Sequence, residues 1–99
     1  MLQINKETSG KGLVYRLEGR LDTITSPDLE KELKATMDGI ESLELNLDKL
    51  EYISSAGLRV LLSAHKVMSK QGSMKVTHVN STISEIFEVT GFSDILVIE

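Results

Sequence analysis

Two adjacent serines, Ser54 and Ser55, stand where an alternating apolar segment gives way to the strongest helical pattern in the chain, with Ala56, Gly57 and Arg59 just behind them. A hydroxyl at such a joint has three chemical uses. It can accept from the unpaired N–H groups of the first helical turn, it can carry a phosphoryl group held at the positive end of the helix dipole, or it can act as a nucleophile. The last requires a base within hydrogen-bond reach and a third group to orient it. The loop lacks the Gly-x-Ser-x-Gly elbow, and the histidines, His65 and His78, lie elsewhere with no acid at metal-ligand spacing. Capping and phosphate acceptance remain. Ser55 is read as the N-cap, so that Ala56 and Gly57 fall in the first turn and leave the backbone open to an anion or a partner; capping by Ser54 is the alternative. Arg59, one turn into the helix, is placed to steady a phosphate or to salt-bridge a partner.

A second polar cluster, Asp22-Thr23-Ile24-Thr25-Ser26-Pro27, precedes another helical pattern. Ser26 reads as a cap, Pro27 as the first helical residue and Asp28 as the acid of the first turn. Asp22 reads as satisfying loop amides, as an Asp beside Thr commonly does.

The elements that must position these residues follow from apolar periodicity. Residues 2 to 19 read as two antiparallel strands around a Thr8-to-Gly12 turn, with Leu13, Tyr15 and Leu17 on one face. Leu29, Leu33, Met37 and Ile40 mark a helix stopped by Gly39. Leu43, Leu45 and Leu47 mark a central strand that leads into the serine joint. The next helix carries Leu58, Leu61, Leu62 and Met68 and ends at Gly72. Ser73-to-Val79 is a fourth strand, Asn80 and Ser81 start a helix that Gly91 terminates, and Ile95-to-Ile98 closes the chain as a fifth strand. Strand and helix alternate after residue 19, which implies right-handed crossovers and hence a mostly parallel sheet with an antiparallel edge and packed helices.

Bulk properties narrow the function. With 99 residues the chain makes one domain with one core. It has no cysteine, which removes disulfides and thiolate metal sites. A net charge of −4 argues against a broad nucleic-acid surface. No signal-peptide core or long apolar run is present, so the expected compartment is the cytoplasm.

Ile53-Ser54-Ser55-Ala56-Gly57-Leu58-Arg59-Val60-Leu61-Leu62 resembles the signature loop of the anti-sigma factor antagonists, single-domain members of the STAS family. Leu17-Glu18-Gly19-Arg20-Leu21-Asp22-Thr23-Ile24-Thr25-Ser26-Pro27-Asp28-Leu29 is similar to the family's early segment entering the first helix. The resemblance covers residues 1–99 and implies an α/β STAS-like domain with a mixed sheet of about five strands. In many members the loop reads Asp-Ser-(Ser or Thr)-Gly-Leu, with the serine after the Asp phosphorylated. The matching acceptor is Ser55, with Ser54 as second choice. This chain departs by carrying Ser54 where that Asp stands and Ala56 where the second hydroxyl stands.

By resemblance, the chain is a non-enzymatic partner switch in transcription regulation. Its rim of Asp22, Thr23, Ser26, Ser54, Ser55, Ala56, Gly57 and Arg59 would bind an anti-sigma factor when Ser55 is unphosphorylated, freeing a sigma factor. The anti-sigma factor would be the serine kinase, using ATP, and a serine phosphatase would reverse the mark. No cofactor, metal, nucleic acid or membrane is implied. The alternative is a STAS interaction subunit of another assembly, a stress-signalling scaffold or a lipid-transport complex.

Overall fold

The structure is a computed structural model and describes residues Met1 to Glu99. Its elements run β1 (Leu2–Ser9), β2 (Gly12–Leu21), α1 (Ser26–Thr36), β3 (Ser42–Ile53), α2 (Ser55–Gln71), β4 (Ser73–Thr77) and α3 (Ser81–Thr90), followed by a short 3₁₀ turn at Phe92–Asp94. The sheet order is β1-β2-β3-β4. β1 pairs antiparallel with β2, while β2–β3 and β3–β4 are parallel. The mixed sheet with one antiparallel edge is the one that the strand and helix alternation predicts.

Period-two alternation decides which face is covered. Leu13, Tyr15 and Leu17 of β2 and Leu43, Leu45 and Leu47 of β3 are buried, and they join Leu29 and Leu33 of α1, Leu58, Leu61, Ala64 and Met68 of α2, and Ile83 and Phe87 of α3 in one core. Val14, Glu44 and Asn46 point the other way and keep partial contact with solvent. All helices therefore lie on one face, and the opposite face stays open. Two side chains lock helix to sheet through polar bonds: the Tyr15 hydroxyl meets Thr36 Oγ1 at 2.7 Å, and Asn80 Nδ2 donates to the Leu50 carbonyl at 2.7 Å. Burial, outweighing its bond to Thr36, pushes the Tyr15 hydroxyl pKa up.

Four strands form where five were expected. Ile95 and Leu96 N–H both donate back to the Phe92 carbonyl, at 3.0 and 2.9 Å, so the 3₁₀ turn consumes them. What remains makes a single parallel bridge, Val76 with Ile98, closed by Val76 N–H to the Val97 carbonyl and Glu99 N–H to the Val76 carbonyl. The tail covers the edge of β4 without becoming a strand. Helix α1 also ends at Thr36 with Met37 as its C-cap, a turn short of including Ile40, and Gly39 lies in the turn beyond.

Candidate functional site

The parallel pairing of β2 and β3 brings the two polar clusters together. Leu21 lies opposite Ile53 at the carboxyl ends of the two strands, and Ser54 N–H donates to the Leu21 carbonyl at 2.9 Å. The Asp22-to-Thr25 loop and the Ser54–Ser55 joint thus leave the sheet side by side, each feeding a helix N-terminus. Carboxyl ends of adjacent parallel strands are where open α/β sheets place their sites.

Two glycines make the geometry possible. Gly19 has φ +105°, a conformation L side chains rarely adopt, and a Cβ there would run into the Met1 carbonyl. It sits at a register shift between β2 and β3 that re-aims the chain toward Leu21 and Asp22. Gly57 is needed for close approach instead. A Cβ on it would meet Ile53 Cγ1 and Leu21 Cγ, both at 2.8 Å, so the first turn of α2 rests directly on the strand ends.

The expected cap assignments each move by one residue. Ser54, not Ser55, is the N-cap of α2: it holds extended backbone (φ −95°, ψ 176°), and its Oγ accepts from Gly57 N–H at 3.4 Å. Ser54 N–H is still committed to the sheet through Leu21 while its carbonyl already accepts from Leu58 N–H at 2.9 Å, so Ser54 is the half-in residue and the helix begins at Ser55, one residue earlier than expected. Ser55 is then the first helical residue, exposed and without a side-chain bond. Likewise the N-cap of α1 is Thr25, with Ser26 and Pro27 following inside the first turn. Ser26 is 2% exposed, and its Oγ is buried without a hydrogen-bond partner.

Asp22 organises its loop. Its Oδ1 accepts from Ile24 N–H and Thr25 N–H, both at 3.0 Å, and Thr25 Oγ1 lies 3.1 Å away. Thr25 Oγ1 also accepts from Asp22 N–H at 2.9 Å and is 2.8 Å from the Arg20 carbonyl. The Thr25 N–H bond, aided by the Thr25 hydroxyl and Ile24 N–H, holds the Asp22 carboxyl below its ordinary 3.8. The loop-amide reading of Asp22 is thus realised, and its Oδ2 is left facing Arg20 Nε at 3.9 Å.

Thr23, Ser26, Pro27, Glu30, Ala56, Arg59 and Val60 line a shallow depression of about 190 Å³ between the first turns of α1 and α2. Four of the sequence-derived site residues therefore share one concavity: Thr23, Ser26, Ala56 and Arg59. Asp22, Ser54, Ser55 and Gly57 do not line it but lie within two residues of Thr23 or Ala56 in the chain. A larger groove of about 710 Å³ opens at the other ends of the strands, around Gly12, Ser42 and Ser73. Its charges are already paired, Glu7 with Arg16 and Glu44 and Glu99 with Lys75.

Two features of this region do not follow from the motifs alone. Ile24 is 85% exposed between Thr23 and Thr25. An apolar residue in a polar loop was the available signal. Arg20 stacks over the Tyr52 ring with 4.5 Å to the centroid, a contact that follows from their pairing in the β2–β3 register. Nothing short of that register reveals it. No group of three His, Cys, Asp or Glu side chains is close enough to hold a metal ion, and no helix is long and apolar enough to cross a membrane.

Comparison with known proteins agrees with this geometry. The STAS domain family model matches residues 3–99. A Bordetella bronchiseptica protein, BtrV, assigned as an anti-sigma factor antagonist, is 39% identical over 85 residues, covering 84% of this chain and 73% of that protein. The crystal structure of an anti-sigma factor antagonist from Mycobacterium paratuberculosis superposes with a TM-score of 0.89 at 21% identity, covering 99% of this chain and 85% of the other. The phosphorylated form of the Bacillus cell fate determinant SpoIIAA gives a TM-score of 0.76 at 16% identity, covering 98% and 91%. The chain belongs to the STAS domain family, in its anti-sigma factor antagonist branch.

Proposed function

We propose that this chain is an anti-sigma factor antagonist, a single STAS module over residues 1–99 that works by binding and is switched at Ser55. With Ser55 unmodified, the rim of Asp22, Thr23, Ser26, Ser54, Ser55, Ala56, Gly57 and Arg59 docks on an anti-sigma factor in the cytoplasm, and the sigma factor held by that partner is released to transcribe. The anti-sigma factor is also the kinase: the γ-phosphoryl of ATP passes to Ser55 Oγ, whose proton leaves, and ADP departs. A serine phosphatase hydrolyses the ester and resets the switch.

The observation that carries this reading is the division of labour between the serines. Ser54 does the capping, which leaves the Ser55 hydroxyl exposed and free of structural duty at the first position of α2. A phosphate there adds roughly −1.5 to −2 charges and three acceptor oxygens. The unpaired N–H groups and the dipole of the helix N-terminus accommodate it within the fold. Inside an interface the same group adds bulk, desolvation cost and repulsion from acidic surface. Each 1.4 kcal/mol lost weakens the complex by about tenfold.

Calorimetric titration against the anti-sigma factor encoded in the same genome tests the reading. Ser55→Ala is expected to bind like the parent, and Ser55→Asp at least about tenfold more weakly. Equal affinity for the two variants would remove the electrostatic gate.

A further inference from the structure

Arg59 is a cation without a partner. It makes no salt bridge, no side-chain hydrogen bond and no aromatic stack, whereas Arg20 at the end of β2 has both Asp22 and Tyr52. Glu30 lines the same depression yet pairs with Lys34, at 3.8 Å. Position explains what the free guanidinium can reach. Arg59 lies four residues after Ser55 on α2, so the two share a helix face about 6 Å apart at Cβ. Helical side chains lean toward the N-terminus, which carries the Arg59 stem back over the first turn. It shares the depression with Ala56 of that first turn and with Thr23, Ser26 and Pro27 at the start of α1, besides Glu30 and Val60.

We propose that Arg59 is the intramolecular receptor for a phosphate on Ser55, and that phosphorylation therefore withdraws this cation from the partner-facing rim as it adds negative charge. The inference rests on the reading of Ser55 as phosphate acceptor and adds a second half to the switch. A guanidinium presents a planar fork that matches two phosphate oxygens at once. In the unmodified chain the same fork is available to an acidic group on the anti-sigma factor. Once Ser55 carries phosphate, that group would meet a neutralised arginine and a surplus of negative charge. The switch then changes the sign of the local field instead of only adding an obstacle.

The test is the titration of the phosphate itself, with phosphoserine installed at position 55 by genetic encoding and followed by phosphorus NMR between pH 4 and 8. In the parent, the second phosphate pKa is expected below the value of about 6 usual for phosphoserine. Arg59→Gln should raise it by about 0.5 unit, the size expected of an exposed pair. Arg59→Lys should keep most of the lowering, since it retains the charge but not the fork. Lys66→Gln, an exposed charge change further along α2, should leave the value where it was. An unchanged midpoint in Arg59→Gln, or an equal rise in Lys66→Gln, would overturn the assignment. Because the phosphate is encoded, the result does not depend on whether the cell phosphorylates Ser55, which peptide mapping decides separately.

Discussion

At the scale of single residues, two neighbouring hydroxyls hold different positions: Ser54 caps α2 and Ser55 is exposed at its first residue. Ser54→Ala removes the cap bond to Gly57 N–H and is expected to cost about 1 kcal/mol in urea unfolding. Ser55→Ala should stay within about 0.5 kcal/mol of the parent, as a surface substitution that breaks no bond. The reverse order would mean that Ser55 is the structural residue. The sequence narrowed the joint to these two serines but not to one, because the cap is chosen by the Ser54 N–H bond to Leu21, a tertiary contact across two strands. Asp22 makes a pH-dependent contribution whose sign follows from its depressed pKa. The carboxylate stabilises the loop fully above its ordinary 3.8, and that stabilisation is lost as pH falls through the lower folded value. The Thr25 amide resonance should therefore titrate with a midpoint below 3.8. A midpoint at or above that value would contradict the loop geometry. In Asp22→Asn the transition should vanish.

At the scale of elements, the site is held by how closely α2 and α1 lie on the sheet. Gly57→Ala would push a methyl into Ile53 and Leu21, both in the core, and is expected to cost about 1–3 kcal/mol. Partner affinity should fall with it, because the turn bearing Ser55 must lift to make room. Wild-type stability in Gly57→Ala would show that the strand ends yield easily. Most of this architecture was legible in the chain. The Leu13-Tyr15-Leu17 and Leu43-Leu45-Leu47 alternations announced the buried face, and the polar clusters announced the helix starts to within one residue. The fifth strand was not legible as absent, since Ile95 to Ile98 has a β-like composition. The Phe92–Asp94 turn captures the N–H groups of Ile95 and Leu96 before they can reach β4, and such a turn leaves little trace in apolar patterning.

At the scale of the whole molecule, the order β1-β2-β3-β4 turns two distant motifs into one surface. Adjacency of β2 and β3 is what sets Asp22 beside Ser54; had another strand intervened, the same residues would form no rim. The sequence supplied the members of the site but not its edges: Ile24 and the Arg20–Tyr52 stack appear only once the loops and register are in place. Ile24 is exposed in the loop beside Thr23, and if the proposed interface is right, Ile24→Ser should weaken binding to the anti-sigma factor while leaving the unfolding midpoint unmoved. The central claim is that a condition-dependent phosphate on Ser55 operates this surface. Its most direct test is intact mass and peptide mapping, with fragmentation of the Ile53-to-Arg59 segment, on protein taken from its own cells growing and stressed. The account predicts one phosphoryl group, localised to Ser55, whose occupancy changes between the two conditions. A phosphoryl group on Ser54, or a segment unmodified in both conditions, would contradict it.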